Sequence, residues 1–302
     1  MSSGGPFGGG GPFGGGPFGG GGGGGGPAEA LRAAAESGDV AAAKAQLALP
    51  DMTLKLIDAV DNGYFGGTAL SFAAEGGHDA IVEALLAAGA SPGLPDRSGY
   101  SPLHLAARHG HTACVARLLK GGAPPDARDG QKQTPLHLAA NLGQTAATEL
   151  LLEHGASVDA VGGEARTTAL WRAIELEHTT LALSLIAARA DPTVCDAVHR
   201  ETPLHLAARD GHANVVAALL GKGTGAAVDA KDWMRSTPLH LATNASIASL
   251  LLRAGADPGS RGAGGLTPAE AAHERNKPAV AAECERSWVR SRFCITLCIR
   301  AY

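Results

Sequence analysis

One short pattern, [TS]-[PA]-L-H-L-A-A, divides most of this 302-residue chain into segments of nearly equal length. Close copies begin at Ser101, Thr134, Thr202 and Thr237, and looser ones at Thr68 (TALSFAA), Thr168 (TALWRAI) and Thr267 (TPAEAAH). Successive starts are separated by 33, 33, 34, 34, 35 and 30 residues. An opening copy, LRAAAESGD at Leu31–Asp39, lies one interval earlier with about six extra residues. A near-constant period of this size is the mark of a solenoid: one unit cannot bury its apolar face alone, so stacked neighbours supply the core.

Within each unit the residues predict two helices. Thr or Ser followed by Pro forms an N-cap with proline in the first turn. Gly77, Gly110, Gly143 and Gly211 suit the left-handed residue that ends the first helix. A second helix follows, with Val82, Leu85 and Leu86 (and Val115, Leu118 and Leu119 one unit on) sharing a face. A further glycine, such as Gly89 or Gly155, stops it. Only 4% of the residues are aromatic, so close packing must rely on Leu and Ala. The pairs Ala73–Ala74, Ala106–Ala107, Ala139–Ala140 and Ala207–Ala208 let neighbouring helices approach.

The third copy, SPLHLAARHGHTACVARLLKGGA, closely resembles an ankyrin repeat, and the resemblance runs over about residues 28–285 as eight units with two degenerate caps. It implies an all-α ankyrin-repeat solenoid of helix-turn-helix units with hairpin fingers over residues 27–285. Two units depart from the pattern. The fifth has Trp171 for the motif histidine and Glu177 for the usual glycine. The seventh lacks three residues at its inter-helix turn (LATNASIASLL). These two are expected to be the weakest units.

SPLHLAARHGH carries three histidines, and clustered imidazoles on a helix can announce a zinc site. Repetition argues otherwise. His104, His137, His205 and His240 recur once per unit, and the resemblance implies that each bonds backbone in the adjoining hairpin. His78, His111, His178 and His212 mark the inter-helix turn. His109 belongs to neither series and falls at a groove position. No metal or cofactor is expected. There is no nucleophile with a plausible base, no Walker-type loop and no HExxH, so the expectation is not an enzyme. The five cysteines form no CxxC pair, which favours a reducing cytoplasmic or nuclear setting. Cys114 stands in for a core aliphatic, whereas Cys195 precedes a finger aspartate.

Residues 1–26 hold 17 of the 43 glycines and a loose GPFGG repeat, the composition of a disordered arm. Its Phe-Gly pairs at Phe7, Phe13 and Phe18 weakly resemble those of nuclear-pore proteins. Residues 286–302 (RSWVRSRFCITLCIRAY) form a basic, apolar tail. It reads as a strand-like extension or sequence outside the functional module, with acyl-assisted membrane contact at Cys294 or Cys298 as the lesser reading. No apolar run is long enough to span a membrane. The net charge of −4 gives no reason to expect nucleic acid as a general partner.

Ankyrin resemblance implies a binding scaffold that meets a protein partner at its concave groove and fingertips. Aligning the units places these positions at Tyr64, Phe65 and Glu75; at Arg97, Ser98, Tyr100, Arg108 and His109; and at Gln131, Gln133, Asn141 and Leu142. Arg209, Asp210, Trp233, Met234 and Ser236 complete the set. Tyr64, Phe65, Tyr100 and Trp233 stand out in a chain this poor in aromatics, although some could pack against neighbouring fingers. The expected function is a monomeric, non-enzymatic scaffold or adaptor. The alternative is an assembly chaperone or regulator of a degradation machine, such as the proteasome or a ubiquitin ligase.

Overall fold

The computed structural model describes residues 26–63, 66–221 and 223–300, with side chains as far as Val289. Eight helix pairs follow one another: α1 (Pro27–Ser37) with α2 (Val40–Leu47), then, after a short α3 (Leu54–Ile57), α4 (Ala69–Glu75) with α5 (Asp79–Ala87). Next come α6 (Pro102–His109) with α7 (Thr112–Lys120), α8 (Pro135–Asn141) with α9 (Thr145–Glu153), and α10 (Ala169–Glu175) with α11 (Thr179–Ala187). The array closes with α12 (Pro203–Asp210) and α13 (Ala213–Leu219), α14 (Pro238–Leu241) and α15 (Ala245–Arg253), and α16 (Pro268–Glu274) and α17 (Pro278–Arg300). Among the described residues there is no strand, only one isolated bridge between Gly162 and Thr167.

First helices pack on first helices and second on second, so the core is one continuous ribbon. The alanine pairs carry it: Ala73, Ala74, Ala106, Ala107, Ala139, Ala140, Ala207 and Ala208 are all fully buried. The extra residues of the first loop form α3, whose Leu54 lies where a Cβ on Gly89 would have to sit. In the seventh unit the missing turn shortens α14 to four residues, and Asn244 caps the next helix through Ile247 N–H at 3.0 Å.

Residues 1–25 of the glycine-rich arm lie outside the described residues. The tail is no strand: α17 runs unbroken through residue 286 to Arg300, since nothing after Pro278 punctuates a helix. Among the described residues, no helix is long and apolar enough to cross a membrane.

Candidate protein-binding surface

Four of the fingers are shaped by an aspartate that turns inward, whereas Gly162 and Gly262 stand at its place in two others. Asp196 is 2% exposed and accepts the backbone N–H groups of Val198, His199 and Glu201 at 2.7–2.9 Å. Asp96, Asp129 and Asp232 do the same work in their fingers. Asx turns of this kind fold the chain back without a strand partner. Successive tips are then tied edge to edge: Gly130 N–H donates to Ser98 carbonyl, Gly163 to Gln131, Ala197 to Ala165 and Trp233 to His199, at 2.8–3.1 Å.

Behind the tips runs the histidine ladder. In the third unit the backbone N–H of Ser101 donates to His104 Nδ1 at 3.1 Å, which leaves Nε2 as the protonated nitrogen. That Nε2 donates to the Gln133 carbonyl of the next finger at 3.2 Å. His137, His205 and His240 repeat the arrangement on Thr167, Ser236 and Leu266. Burial pushes all four imidazoles below their usual pKa, with the carbonyl hydrogen bonds pulling the other way. Both ring nitrogens are thus committed to architecture. Among the described residues no three His, Cys, Asp or Glu side chains converge as a metal site would require.

The groove residues fare differently. Glu75, Arg97, Ser98, Arg108, His109, Gln131 and Leu142 are exposed. His109 stacks on His111 at 5.8 Å, and desolvation and then the charge of Arg108 lower its pKa. Arg97 reaches back to the Gly63 carbonyl at 2.6 Å. Tyr100 is half-buried, its ring 6.1 Å from that of His104, and Gln133 is also half-buried. Asn141 is held by Arg172 at 2.8 Å, and Arg209 is paired with both Glu201 and Asp210. Trp233 and Met234 stand 60% and 47% exposed. Ser236 corrects the sequence reading: it is 4% exposed, because Asp232 draws its N–H inward and His205 takes its carbonyl. Tyr64 and Phe65 lie outside the described residues. Burial raises the Cys114 and Cys284 thiols to about 11, so neither is a nucleophile at neutral pH.

An ankyrin-repeat profile (Ankyrin repeats, 3 copies) matches residues 31–129, 116–196 and 177–261. The chain belongs to the ankyrin-repeat family. Among solved structures it is similar to the ankyrin repeat domain of Bcl-3, described as a unique member of the IkappaB protein family. The TM-score is 0.65 and the identity 28%, over 74% of this chain and 97% of that one. The human ASB11 ankyrin repeat domain is similar at 27% identity and TM-score 0.60, over 74% and 96% of the two chains. No curated protein matches in sequence. Ankyrin repeats are in general protein–protein interaction modules.

The fingers of this ankyrin array share one backbone conformation. Two residues before each motif Thr or Ser, the finger backbone is left-handed. Gly66, Gly99 and Gly265 hold this position in outer units, with φ of 63°, 85° and 77°. Lys132, Arg166, Arg200 and Arg235 hold it in the four middle ones, at 63°, 51°, 54° and 65°. A side chain there costs roughly 1–2 kcal/mol relative to ordinary backbone.

Proposed function

We propose that this ankyrin-repeat protein is a monomeric, non-enzymatic scaffold or adaptor that holds a protein partner along its groove and fingertips. The observation that carries the reading is Trp233 with Met234, large and solvent-facing on a finger whose backbone is anchored by Asp232 and His199. Aromatic and arginine side chains dominate binding energy at protein interfaces. A pre-ordered scaffold presents them with little further entropy loss. Arg108 and His109 extend the surface into the groove. A reducing cytoplasmic or nuclear setting suits Cys114, Cys195 and Cys284, which are free thiols.

The test is a triple variant, Arg108→Ala, Trp233→Ala and Met234→Ala, in the full chain. Its unfolding midpoint should stay near that of the unsubstituted protein, because all three side chains are exposed. Proteins retained by the full chain in affinity purification with mass spectrometry should be lost. An unchanged set of retained proteins would overturn the reading.

A further inference from the structure

Lys132, Arg166, Arg200 and Arg235 are all exposed, and among the described residues none forms an ion pair. Glycine is the residue this backbone favours, and Asn or Asp would be the next best tolerated. Four consecutive units accept strain in order to carry the same charge. Strain kept at equivalent positions points from structure to use.

We propose that these four cations form a track for an extended acidic segment of a protein partner, an inference that rests on the protein-binding reading above. Equivalent backbone conformations joined tip to tip by hydrogen bonds present the charges in single file. Neighbouring units repeat at about the 8–10 Å of packed helices, and three extended residues span about 10 Å. An acidic side chain at every third position therefore meets successive tips. The carboxylates of Asp129, Asp196 and Asp232 sit under the tips but are turned inward onto backbone N–H groups, so they leave the track open. At the seventh-unit end, Val198, Trp233 and Met234 are exposed apolar residues on two tips joined through the His199–Trp233 backbone bond. They fit an apolar anchor at one end of the same segment. A nucleic-acid strand would call for aromatic faces interleaved with the charges. Here the exposed aromatic tip residues, His199 and Trp233, lie together at one end of the row with their rings 6.4 Å apart, and none stands between Lys132 and Arg166.

The probe is a fluorescein-labelled synthetic peptide of roughly twelve residues, with Glu at every third position, Ser between and a terminal Phe, titrated with the full chain by anisotropy. Two quadruple variants are compared, with Lys132, Arg166, Arg200 and Arg235 all changed to Gly or all to Gln. Each should bind at least about tenfold more weakly, and the unsubstituted chain should show steep loss with salt. The Gly set should also unfold at a higher temperature, since it relieves the left-handed strain. Equal affinity in all three proteins, no binding by the unsubstituted chain, or loss confined to the Gly set would overturn the proposal. So would tighter binding of a single-stranded oligonucleotide of the same length. If cellular proteins are retained by the Gln set but lost from the groove variant, the track falls while the scaffold reading stands.

Discussion

His205 Nε2 donates to the carbonyl of Ser236 at 3.0 Å, so each motif imidazole is a neutral strut between one unit and the next. The four struts are held below the usual histidine pKa by burial. The unfolded chain therefore takes up protons near pH 6.5 that the folded chain refuses. Stability contributed by the neutral rings is complete above pH 6.5 and is lost as pH falls below it, until the lowered folded values are reached. Each ring can contribute up to about 1.4 kcal/mol per pH unit in that window. Urea unfolding at pH 7.5 and 5.5 should show a markedly lower midpoint at the acid value, with proton uptake on unfolding. Equal midpoints would contradict the neutral-strut account.

Glycine at the end of the first helix is required by its neighbour as well as by its backbone. A Cβ on Gly143, where φ is 68°, would lie 2.8 Å from the ring of His178. Gly77 stands in the same relation to His111. Between the fifth and sixth units the glycine is replaced: Glu177 has φ of 61°, and His212 Nε2 is buried without a partner among the described residues. Gly143→Ala should lower stability by about 1–2 kcal/mol or more, and Glu177→Gly should raise it by about 1 kcal/mol. Thermal melts of the two variants should move in opposite directions.

Inside a finger, exposed and buried neighbours should differ sharply. Asp196→Ala leaves three backbone donors to find new partners and should cost about 2–3 kcal/mol. Val198→Ala, two residues away at a site 62% exposed, should fall within about 0.5 kcal/mol of the unsubstituted protein. Chemical denaturation of both decides the matter; similar losses would mean that Asp196 does not shape the finger.

Local opening should begin between the fifth and sixth units. Elsewhere a carboxylate commonly ties one inter-unit loop to the next: Asp126 accepts Ser157 N–H, Asp159 accepts Asp191, and Asp229 accepts Asp257. Thr193 stands at the corresponding place after the fifth unit, and its hydroxyl donates to its own Asp191 at 2.7 Å. Trp171 sends nothing to the Glu201 carbonyl, and its Nε1 is buried without a partner among the described residues. With the orphaned His212, three side-chain ties are missing at one interface. Backbone amides of α12 should exchange faster than those of α8, measured by hydrogen exchange with mass spectrometry. Equal protection along the array would refute this.

Much of the scaffold was legible because it repeats as side-chain identity. TPLHLAA fixes cap, proline and strut at one spacing, and the Trp171 and Glu177 departures fall at the junction where side-chain ties are missing. At the seventh unit's deletion, Asn244 caps the second helix through Ile247 N–H. What stayed hidden depends on backbone groups that sequence does not label. The buried state of Ser236 follows from an N–H drawn to Asp232, and the loop ties follow from N–H groups meeting a carboxylate about one unit away. The cationic row is not labelled in the sequence, because the left-handed backbone that aligns Lys132, Arg166, Arg200 and Arg235 has no residue signature where glycine is replaced. The helical tail follows from the absence of a breaker after Pro278, which its basic and apolar composition alone did not reveal.

The sparsely tied junction divides the cationic row evenly, with Lys132 and Arg166 on one side and Arg200 and Arg235 on the other. A segment lying along all four would act as a splint, bracing the two halves of the spring at its softest coil. Occupancy of the fingertips and stiffness of the whole array are thereby one variable: whatever grips this edge also sets how far the solenoid can flex.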